Sequence, residues 1–408
     1  MIDALAAPRL IALDNSIREY AWGSIDAIPR LLGIEPTGRP AAELWIGAHP
    51  DEPSVWSAHP DRPGLDQVLA TDPQRLLGKA AVSTFGPRLP YLLKVLAADK
   101  ALSLQVHPTA EQARAGYESE RAPDSGRDPA ELTYSDPHHK PELAYALTDF
   151  EAFCGFRSPT RTVELFTALA VPELQPYCAL LPSHGGLRAT FTTMLTLPEA
   201  ARSRLVDAAI AGCRALADAG GEWAPAARAS VLAAEDFPGD VGAVLALLLN
   251  HVRLAPGEAI FLGAGNVHAY LRGVCIEVLA NSDNVLRCGL TPKRIDIPEL
   301  LRIADFTALA DPRWHPSEPV AGTRLFQVPV PDFALSVLDL DAGGAPLIGT
   351  APHLVLSTDG PLTLACGDER LKLGTWSSAF VAAGDCHTTV AGSGTAFAVS
   401  TNIAEQAV

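Results

Sequence analysis

Short apolar runs separated by Pro and Gly dominate the first part of the chain. Examples are the run from Tyr91 to Leu96 and the alternating run from Leu102 to Val106. Runs of this length between turn residues are typical of β-strands. The pattern therefore predicts a β-rich segment from about residue 9 to residue 157.

The spacing of apolar residues changes at Ser158. An N-cap residue followed by Pro at the first helical position opens a helix there. Apolar residues from Leu205 to Leu216 repeat at helical spacing, and Gly220 supplies a stop signal. The segment Val241–Leu249 is apolar on all sides, which predicts a buried helix. We therefore expect a helical region between residues 158 and 254.

Strand patterns return after Arg253, in residues 259–262 and 273–279, so the helices look inserted between two parts of one β domain. A short helix is predicted from Pro298 to Leu309. Beyond Pro316, further apolar runs at 333–338, 354–357 and 379–382 alternate with Asp-Gly and Gly-Asp turns. This regular spacing of short apolar runs and turns is typical of a β-sandwich or β-barrel and predicts a C-terminal β domain.

Composition limits the class of protein. The 408 residues, 48% hydrophobic, are enough for two or three domains. The net charge of −16 disfavours binding to nucleic acid or to an acidic membrane surface. A small anionic substrate is still compatible, because a few Lys or Arg side chains in one pocket can reverse the local potential.

The cysteines and the lengths of the apolar runs indicate the cellular compartment of the protein. The N-terminal residues lack a basic-then-apolar arrangement, and the longest apolar run, Val241–Leu249, is far shorter than the roughly 20 residues that span a bilayer. The seven cysteines form no CxxC pair and no disulfide-scaffold spacing. We expect a cytoplasmic protein.

Gln105 and His107 are the first candidates for chemistry. Alternate residues of a strand point to one face, so the two side chains would point together. Two such donors can share a metal ion, but a buried hydrogen-bonded pair would explain the same spacing.

The segment Asp136–Glu142 is the second candidate. Glu142 opens an apolar strand, whereas the adjacent His138 and His139 cannot both face one site. A solvated turn with a charge at the strand edge would also account for this segment.

His268 follows a glycine-containing loop, residues 263–267, and precedes Tyr270 and Glu277 on a predicted strand. A strand pattern after Gly263 and Gly265 excludes a dinucleotide-binding fingerprint, which requires a helix there. The glycines instead allow close approach of the backbone.

Together, Gln105, His107, Glu142 and His268 offer two imidazoles, one carboxylate and one neutral oxygen. This donor set suits Zn²⁺ with an open position, although Mn²⁺ or Fe²⁺ would also accept it. Their separation along the chain carries no information on whether they meet. Arg287 and Lys293 lie in a polar segment that is compatible either with a surface turn or with cations above a bound substrate.

Several stretches together resemble one family, the type I phosphomannose isomerases of the cupin superfamily. The matching stretches follow the family's order along the chain and span residues 20–24, 42–50, 90–108, 139–142 and 261–293. The resemblance implies a double-cupin, mainly β fold with an inserted α-helical domain. It also implies a zinc-dependent aldose–ketose isomerase that interconverts mannose 6-phosphate and fructose 6-phosphate, within mannose and GDP-mannose metabolism.

The resemblance assigns roles residue by residue. It implies one zinc ion per chain, held by Gln105, His107, Glu142 and His268. It implies Arg287 as the active-site arginine. The groups expected near the sugar phosphate or lining the pocket are Trp22, Lys100, Ser103, Lys140, Tyr270, Glu277, Asp283 and Lys293. For the proton carrier between the two substrate carbons, Glu277 is the first candidate and Lys140 the second.

Two other functions fit parts of the pattern. Two His and one Glu overlap the ligand set of iron dioxygenases, but the cations at 100, 287 and 293 are not needed for neutral substrates. A sugar-phosphate-binding module without turnover would hold a closed, structural zinc.

The prediction is therefore a discontinuous catalytic cupin domain (1–157 plus 255–315), an inserted helical domain (158–254) and a C-terminal cupin-like domain (316–408). We expect a monomer that binds a small sugar phosphate and neither nucleic acid nor membrane.

Overall fold

The computed structural model describes residues 7–123, 126, 128, 132–384 and 387–403. The first part of the chain alternates short strands and short helices. Its elements are β1 (Leu10–Asp14), β2 (Ser16–Arg18), α1 (Ala27–Leu32), β3 (Glu43–Gly47), β4 (Val55–Trp56), α2 (Leu65–Thr71), α3 (Pro73–Leu77), α4 (Lys79–Phe85), β5 (Tyr91–Ala98), β6 (Leu104–Val106), α5 (Ala110–Glu120), β7 (Glu142–Ala146) and β8 (Phe150–Phe156).

Helices occupy the middle of the chain. They are α6 (Pro159–Leu169), a 3₁₀ turn (Pro172–Leu174), α7 (Gln175–Leu180), α8 (Gly186–Leu195), α9 (Glu199–Ala219), α10 (Ala224–Asp236), α11 (Gly242–Leu245) and a 3₁₀ turn (Ala246–Leu248). The predicted cap is present, because the backbone N–H of Arg161 donates to the Ser158 hydroxyl at 3.3 Å. Helix α9 ends where Gly220 adopts a φ of 78°.

Strands return in the last part of the chain. They are β9 (Leu249–Leu254), β10 (Ala259–Leu262), β11 (His268–Ala280), β12 (Leu286–Gly289), then α12 (Ile297–Ile303) and β13 (Arg313–Trp314), followed by β14 (Ser317–Val320), β15 (Thr323–Gln327), β16 (Ala334–Asp339), a 3₁₀ turn (Leu340–Ala342), β17 (Ala345–Pro346), β18 (His353–Ser357), β19 (Leu362–Cys366), β20 (Glu369–Leu373), β21 (Ser378–Val381), β22 (Thr389–Gly392) and β23 (Thr395–Ser400). The predicted mainly β protein with a helical region is confirmed.

Some local predictions differ from the structure. The single helix expected over Val241–Leu249 is wrong at its end: the chain passes through a 3₁₀ turn, and Leu249 pairs with Phe156 as the start of β9. Helix α12 ends at Ile303, earlier than predicted. Helices α1–α4 are not among the predicted elements, because they have only five to seven residues and lie among the Pro and Gly residues that indicate turns. Helix α5 was also not predicted, although its 11 residues begin at a capping box formed by Thr109 and Gln112.

The site is built on strand β11, which belongs to two sheets. Its C-terminal half pairs with β5 and β7 in the order β13-β10-β7-β11-β5-β3-β2, and its N-terminal half pairs with β6 and β8. The strand is irregular between Tyr270 and Arg272, and Gly273 follows with a φ of 113°. A Cβ at Gly273 would lie 2.5 Å from the Asp149 carbonyl oxygen, so glycine permits this close approach.

A third set of strands forms the C-terminal sheet, in the order β14-β15-β16-β23-β18-β21-β1-β4. Two of its members come from the start of the chain: β1 pairs with β21, and β4 pairs with β1 at the edge of the sheet. These strands cross the boundary predicted between the catalytic and C-terminal domains, and the domain division stays a prediction. A smaller sheet, β17-β22-β19-β20, packs on the C-terminal sheet through a core that includes Leu364 and Ala379.

Buried apolar clusters join these layers. One fills the space between the two sheets that share β11 and includes Leu96, Phe150 and Tyr270. Another joins the β11 sheet to the C-terminal sheet, where Leu93 and Phe380 belong to the same cluster. A third packs the helical region against β6 and β8. Burial of this apolar area supplies most of the favourable free energy of folding.

Among the described residues, every helix is too short or too polar to traverse a lipid bilayer. Cys154, Cys178, Cys213, Cys275 and Cys288 are free thiols, and Cys386 lies outside the described residues.

Candidate active site and metal centre

The structure brings Gln105, His107, Glu142 and His268 together. Gln105 lies in the middle of β6 and pairs with His268, the first residue of β11. Glu142 begins β7, as predicted, and pairs with Leu262 on β10. His107 follows β6 directly. The imidazole nitrogens and carboxylate oxygens of His107, Glu142 and His268 all lie within 4.8 Å of one another.

Both imidazoles present a lone pair to this group. His107 Nδ1 lies 2.7 Å from the Asn284 carbonyl oxygen, and His268 Nδ1 lies 2.9 Å from the Asn266 carbonyl oxygen. A carbonyl only accepts, so each Nδ1 carries the proton and each Nε2 is left as an acceptor. Burial lowers the pKa of His107 to about 4, although Glu142 opposes this effect, so its ring is neutral.

The imidazole nitrogens and carboxylate oxygens that face one another in this cluster lack good hydrogen-bond partners within the protein. His107 Nε2 lies 3.3 Å from Glu142 Oε1, and His268 Nε2 lies 3.4 Å from Glu142 Oε2. Neither His107 Nε2 nor Glu142 Oε2 makes a hydrogen bond of acceptable geometry, although both are fully buried. Lone pairs that face a buried carboxylate repel it, and a cation bound between them would remove this repulsion.

The spacing fits zinc. Ligands at about 2.0–2.1 Å in a tetrahedron are separated from one another by about 3.4 Å. The two histidine–carboxylate distances above have this value. The Gln105 amide nitrogen lies 3.3 Å from His268 Nε2. Because the oxygen and nitrogen of an amide exchange places on a simple flip, Gln105 can present its oxygen as the fourth donor.

A cavity of about 1050 Å³ opens beside this cluster. Every other residue predicted for the site lines it, together with two of the four predicted ligands. The lining includes Trp22, Lys100, Ser103, Gln105, Lys140, Glu142, Tyr270, Glu277, Asp283, Arg287 and Lys293. His107 and His268 are fully buried behind the cavity wall.

Arg287 is placed beside the metal ligands by strand pairing. It lies on β12 directly opposite Gln105, which itself pairs with His268. Burial lowers the pKa of the half-buried Arg287 guanidinium. Within the described part of the chain, no carboxylate forms an ion pair with this guanidinium. Arg287 is therefore a fixed cation available to a negative charge that develops in the cavity.

Lys140 lies on the same wall. Its Nζ is 2.8 Å from Glu142 Oε1, and the side chain is almost completely buried. Burial alone would raise the pKa of Glu142, but Lys140 and His107 hold it well below its usual range. Glu142 is therefore ionised, as a metal ligand must be.

Glu43 and Lys94 complete the buried charges of the cavity and were not predicted as site residues. Lys94 Nζ lies 3.3 Å from Glu43 Oε2 and 3.4 Å from Glu277 Oε2. The Trp45 indole N–H donates to Glu43 Oε2 at 2.6 Å. Burial raises the pKa of Glu277 to about 7, although Lys94 opposes this shift. A charged residue in the middle of an apolar strand was the signal that could have identified them.

The helical region also contributes to the cavity wall. Asp236, the last residue of α10, accepts a hydrogen bond from the Ala101 backbone N–H at 2.8 Å and from Arg272 Nη1 at 2.9 Å. Asp240 accepts from the Thr291 backbone N–H at 3.1 Å. These contacts fix the segments that carry Lys100 and Lys293. Sequence alone gave no sign of them.

Comparisons with known proteins agree on one family. Residues 10–159 match the family model described as phosphomannose isomerase type I, catalytic domain. Mannose-6-phosphate isomerase of Escherichia coli (strain K12) is 41% identical over 389 residues, covering 94% of this chain and 97% of that protein. Mannose-6-phosphate isomerase of Bos taurus is 33% identical over 367 residues, covering 82% and 83%.

Solved structures give the same result. A structure of mannose 6-phosphate isomerase bound with zinc and yttrium has a TM-score of 0.87 at 35% identity, covering 97% of this chain and all of that one. A mutant phosphomannose isomerase from Salmonella typhimurium has a TM-score of 0.88 at 34% identity with the same coverage. None of these relatives is described as a dioxygenase or a binding module, the two alternatives that the sequence left open.

Proposed function

The chain belongs to the type I phosphomannose isomerase family, and from this premise we propose how its residues interconvert D-mannose 6-phosphate and D-fructose 6-phosphate. The enzyme is a zinc-dependent aldose–ketose isomerase of the cupin fold. The reaction opens the sugar ring, moves a proton between two neighbouring carbons through an enediol, and needs no redox cofactor. The observation that carries the proposal is the buried cluster of His107, Glu142 and His268 beside a cavity that contains cations.

The donor set defines the metal site. Gln105, His107, Glu142 and His268 hold the zinc ion. When bound, zinc supplies a Lewis acid that stabilises negative charge on the substrate oxygens next to the reacting carbons. The buried charges are consistent with a divalent cation, since three carboxylates, Glu43, Glu142 and Glu277, share two lysines, Lys94 and Lys140.

The phosphate group anchors the far end of the substrate. Lys100, Ser103 and Lys293 line the same cavity, and we assign them to the phosphate. Lysine ammonium groups and a hydroxyl are donors that phosphate oxygens accept. Binding energy gained at the phosphate is available to orient the reacting carbons, which are remote from it.

Arg287 stabilises the charge of the enediolate. Its cross-strand position opposite Gln105 places the guanidinium next to the ligands that hold zinc. A preorganised cation in a partly dehydrated cavity stabilises developing charge more strongly than the same cation in water. Trp22, Tyr270 and Asp283 enclose the substrate.

Glu277 carries the proton between the two carbons. Its carboxyl lines the cavity, and a pKa of about 7 suits a group that must accept and return a proton near neutral pH. Lys140 is the second candidate. Its ammonium is engaged with Glu142 Oε1 at 2.8 Å, which favours Glu277 for this role.

The test is isomerase activity on mannose 6-phosphate, detected as fructose 6-phosphate, before and after chelation and after zinc is added back. Activity that chelation abolishes and zinc restores supports the proposal. Absence of turnover from folded, zinc-loaded protein would overturn it. We further propose that the enzyme is a cytoplasmic monomer, which sedimentation of the purified protein and cell fractionation would check.

A further inference from the structure

His49 lies directly behind one wall of the cavity. It follows strand β3 by two residues, and its side chain is only 4% exposed. Its Nε2 atom lies 3.2 Å from Oδ2 of Asp283, which lines the cavity with a side chain that is 44% exposed. His49 therefore contacts the cavity through Asp283, since the ring itself is not part of the lining.

The hydrogen bonds of the ring define which nitrogen carries the proton. The backbone N–H of Asp51 donates to His49 Nδ1 at 3.3 Å. A neutral imidazole has one acceptor nitrogen and one donor nitrogen, so Nε2 carries the proton and donates to Asp283. The ring also packs edge-on against the Trp45 indole, with centroids 4.7 Å apart at 70°. These contacts leave the imidazole a single orientation.

Asp283 is held at a second point. Its backbone N–H donates to Asp136 Oδ2 at 2.8 Å, which fixes the main chain. The bond from His49 then fixes the side chain. Burial raises the pKa of Asp283, but the His49 hydrogen bond and the nearby lysines lower it below its ordinary value, so the carboxylate is ionised. With one oxygen engaged by His49, the second is available to a hydroxyl of the sugar.

We propose that His49 is a positioning residue that holds the Asp283 carboxylate in the orientation that binds a substrate hydroxyl. The inference rests on the proposed function, because it takes the cavity to be the sugar-phosphate site. His49 touches neither the substrate nor the metal ligands. It acts through Asp283 alone, as the carboxylate partners of metal-binding histidines act through the rings they orient.

A second cation site is the alternative for the same atoms, because ligand atoms of His49, Asp51 and Asp283 lie within 4.8 Å of one another. Both nitrogens of His49 are already used, one as a hydrogen-bond acceptor and one as a donor. Asp51 and Asp283 are exposed to solvent. Hydrogen bonding therefore accounts for the geometry without an ion, and the zinc content of the variants separates the two explanations.

The test compares His49→Gln with His49→Asn in the full-length, zinc-loaded enzyme. The Gln amide reaches the place of Nε2 and can donate to Asp283, whereas the Asn amide is one methylene too short. We expect kcat/KM to stay within about threefold of wild type for His49→Gln and to fall roughly 10- to 100-fold for His49→Asn, the range for loss of a charged hydrogen bond. Zinc per chain should be unchanged in both variants.

Coupling with Asp283→Asn separates positioning from a merely structural effect. If His49 acts through Asp283, the double variant with His49→Asn is no slower than Asp283→Asn alone. The proposal would be overturned if the Gln and Asn variants lost kcat/KM equally, or if the losses of the two single variants multiplied in the double variant. Loss of a second equivalent of bound metal would also overturn it. Failure of the proposed function is distinguishable from these results, because the wild-type enzyme would then lack isomerase activity.

Discussion

Lys94 and Glu277 occupy directly opposite positions on strands β5 and β11, with Nζ and Oε2 3.4 Å apart. Both side chains are almost completely buried, and Lys94 also contacts Glu43. Burial would lower the pKa of Lys94, but the neighbouring carboxylates raise it above its ordinary value. One ammonium group thus serves two carboxylates at the floor of the cavity, and all three residues, with Tyr270, line the substrate space.

Replacement of Glu277 by Gln should stop proton transfer while keeping the shape of the floor. An amide cannot exchange a proton with carbon at a useful rate, so we expect kcat to fall roughly 100- to 10,000-fold with little change in zinc content. Steady-state kinetics and metal analysis would measure both quantities. Lys140→Met serves as the comparison, because it removes the second candidate. Near-wild-type turnover in both variants, with full zinc, would contradict both assignments.

Arg287→Ala should reduce turnover without releasing zinc. The guanidinium lies beside Gln105 but is not a ligand, so its loss removes transition-state stabilisation and leaves the metal donors intact. Loss of one preorganised donor to a developing negative charge typically costs roughly 100- to 1,000-fold in kcat. Arg294→Ala, on the same cavity wall, is a suitable control for general loss of positive charge. Unchanged kcat in Arg287→Ala would exclude a catalytic role for this residue.

His268→Gln should lose zinc. The substitution removes one of two imidazole donors, and the ligand group then lacks a donor that zinc prefers. After dialysis, mass spectrometry of the metal content should show much less than one zinc ion per chain. His251→Gln is a matched control, since His251 is paired with Glu151 and lies outside the ligand group. Full zinc content in His268→Gln would remove this residue from the ligand set.

Asp236→Ala should weaken substrate binding more than it slows the chemical step. The carboxylate accepts hydrogen bonds from the Ala101 backbone and from Arg272, and Ala101 follows the phosphate-site residue Lys100. Its removal leaves two donors without their partner, which costs about 1–3 kcal/mol of stability. We expect a KM for mannose 6-phosphate roughly tenfold higher than that of wild type. Asp236→Asn keeps an acceptor oxygen, so its KM should lie between those of wild type and Asp236→Ala. Equal KM values in all three proteins would contradict a role in positioning Lys100.

The loss of folding stability at acidic pH should depend in part on His353 in the C-terminal sheet. This buried ring lies with Nε2 3.0 Å from the Ile348 carbonyl oxygen, and burial lowers its pKa to about 4. The unfolded chain, with a histidine pKa of about 6.5, binds this proton first, so stability is lost as pH falls from 6.5 towards 4.

His353→Gln keeps a donor for Ile348 but removes the titration. Urea unfolding at pH 7 and pH 5 should show that wild type loses about 2 kcal/mol more than the variant over this interval. The remaining titrating groups are common to both proteins and cancel in the comparison. Parallel loss of stability in the two proteins would show that His353 does not titrate as its burial requires.

The ligand residues could be recognised from sequence because their chemical types are rare in strands. Gln105 and His107 interrupt an apolar run, and Glu142 opens another, so each was visible locally. Their convergence was not visible, since nothing in the separation along the chain reveals that β6, β7 and β11 meet. Only the resemblance to a family supplied that step.

Other features had a local signal that did not reveal their role, or no local signal at all. The charge of Lys94 interrupts the predicted strand from Tyr91 to Leu96, but its partners are not visible there, because burial on both faces of β5 is a property of the neighbouring sheets and not of the strand itself. Asp236 resembles any acidic residue at the end of a helix until α10 is placed against Ala101. Long-range packing determined these roles, and a sequence pattern describes only neighbours along the chain.

The pairing of β1 with β21 has a consequence for synthesis of the protein. Leu10 and Val381 are partners in one sheet, although about 360 residues separate the two strands along the chain. At a translation rate of ~5–20 residues per second, β1 waits roughly 20 to 70 seconds on the ribosome before its partner is made. During that interval its apolar edge is open to other nascent chains. We expect chaperone demand during production to fall on this first strand, far from the catalytic residues.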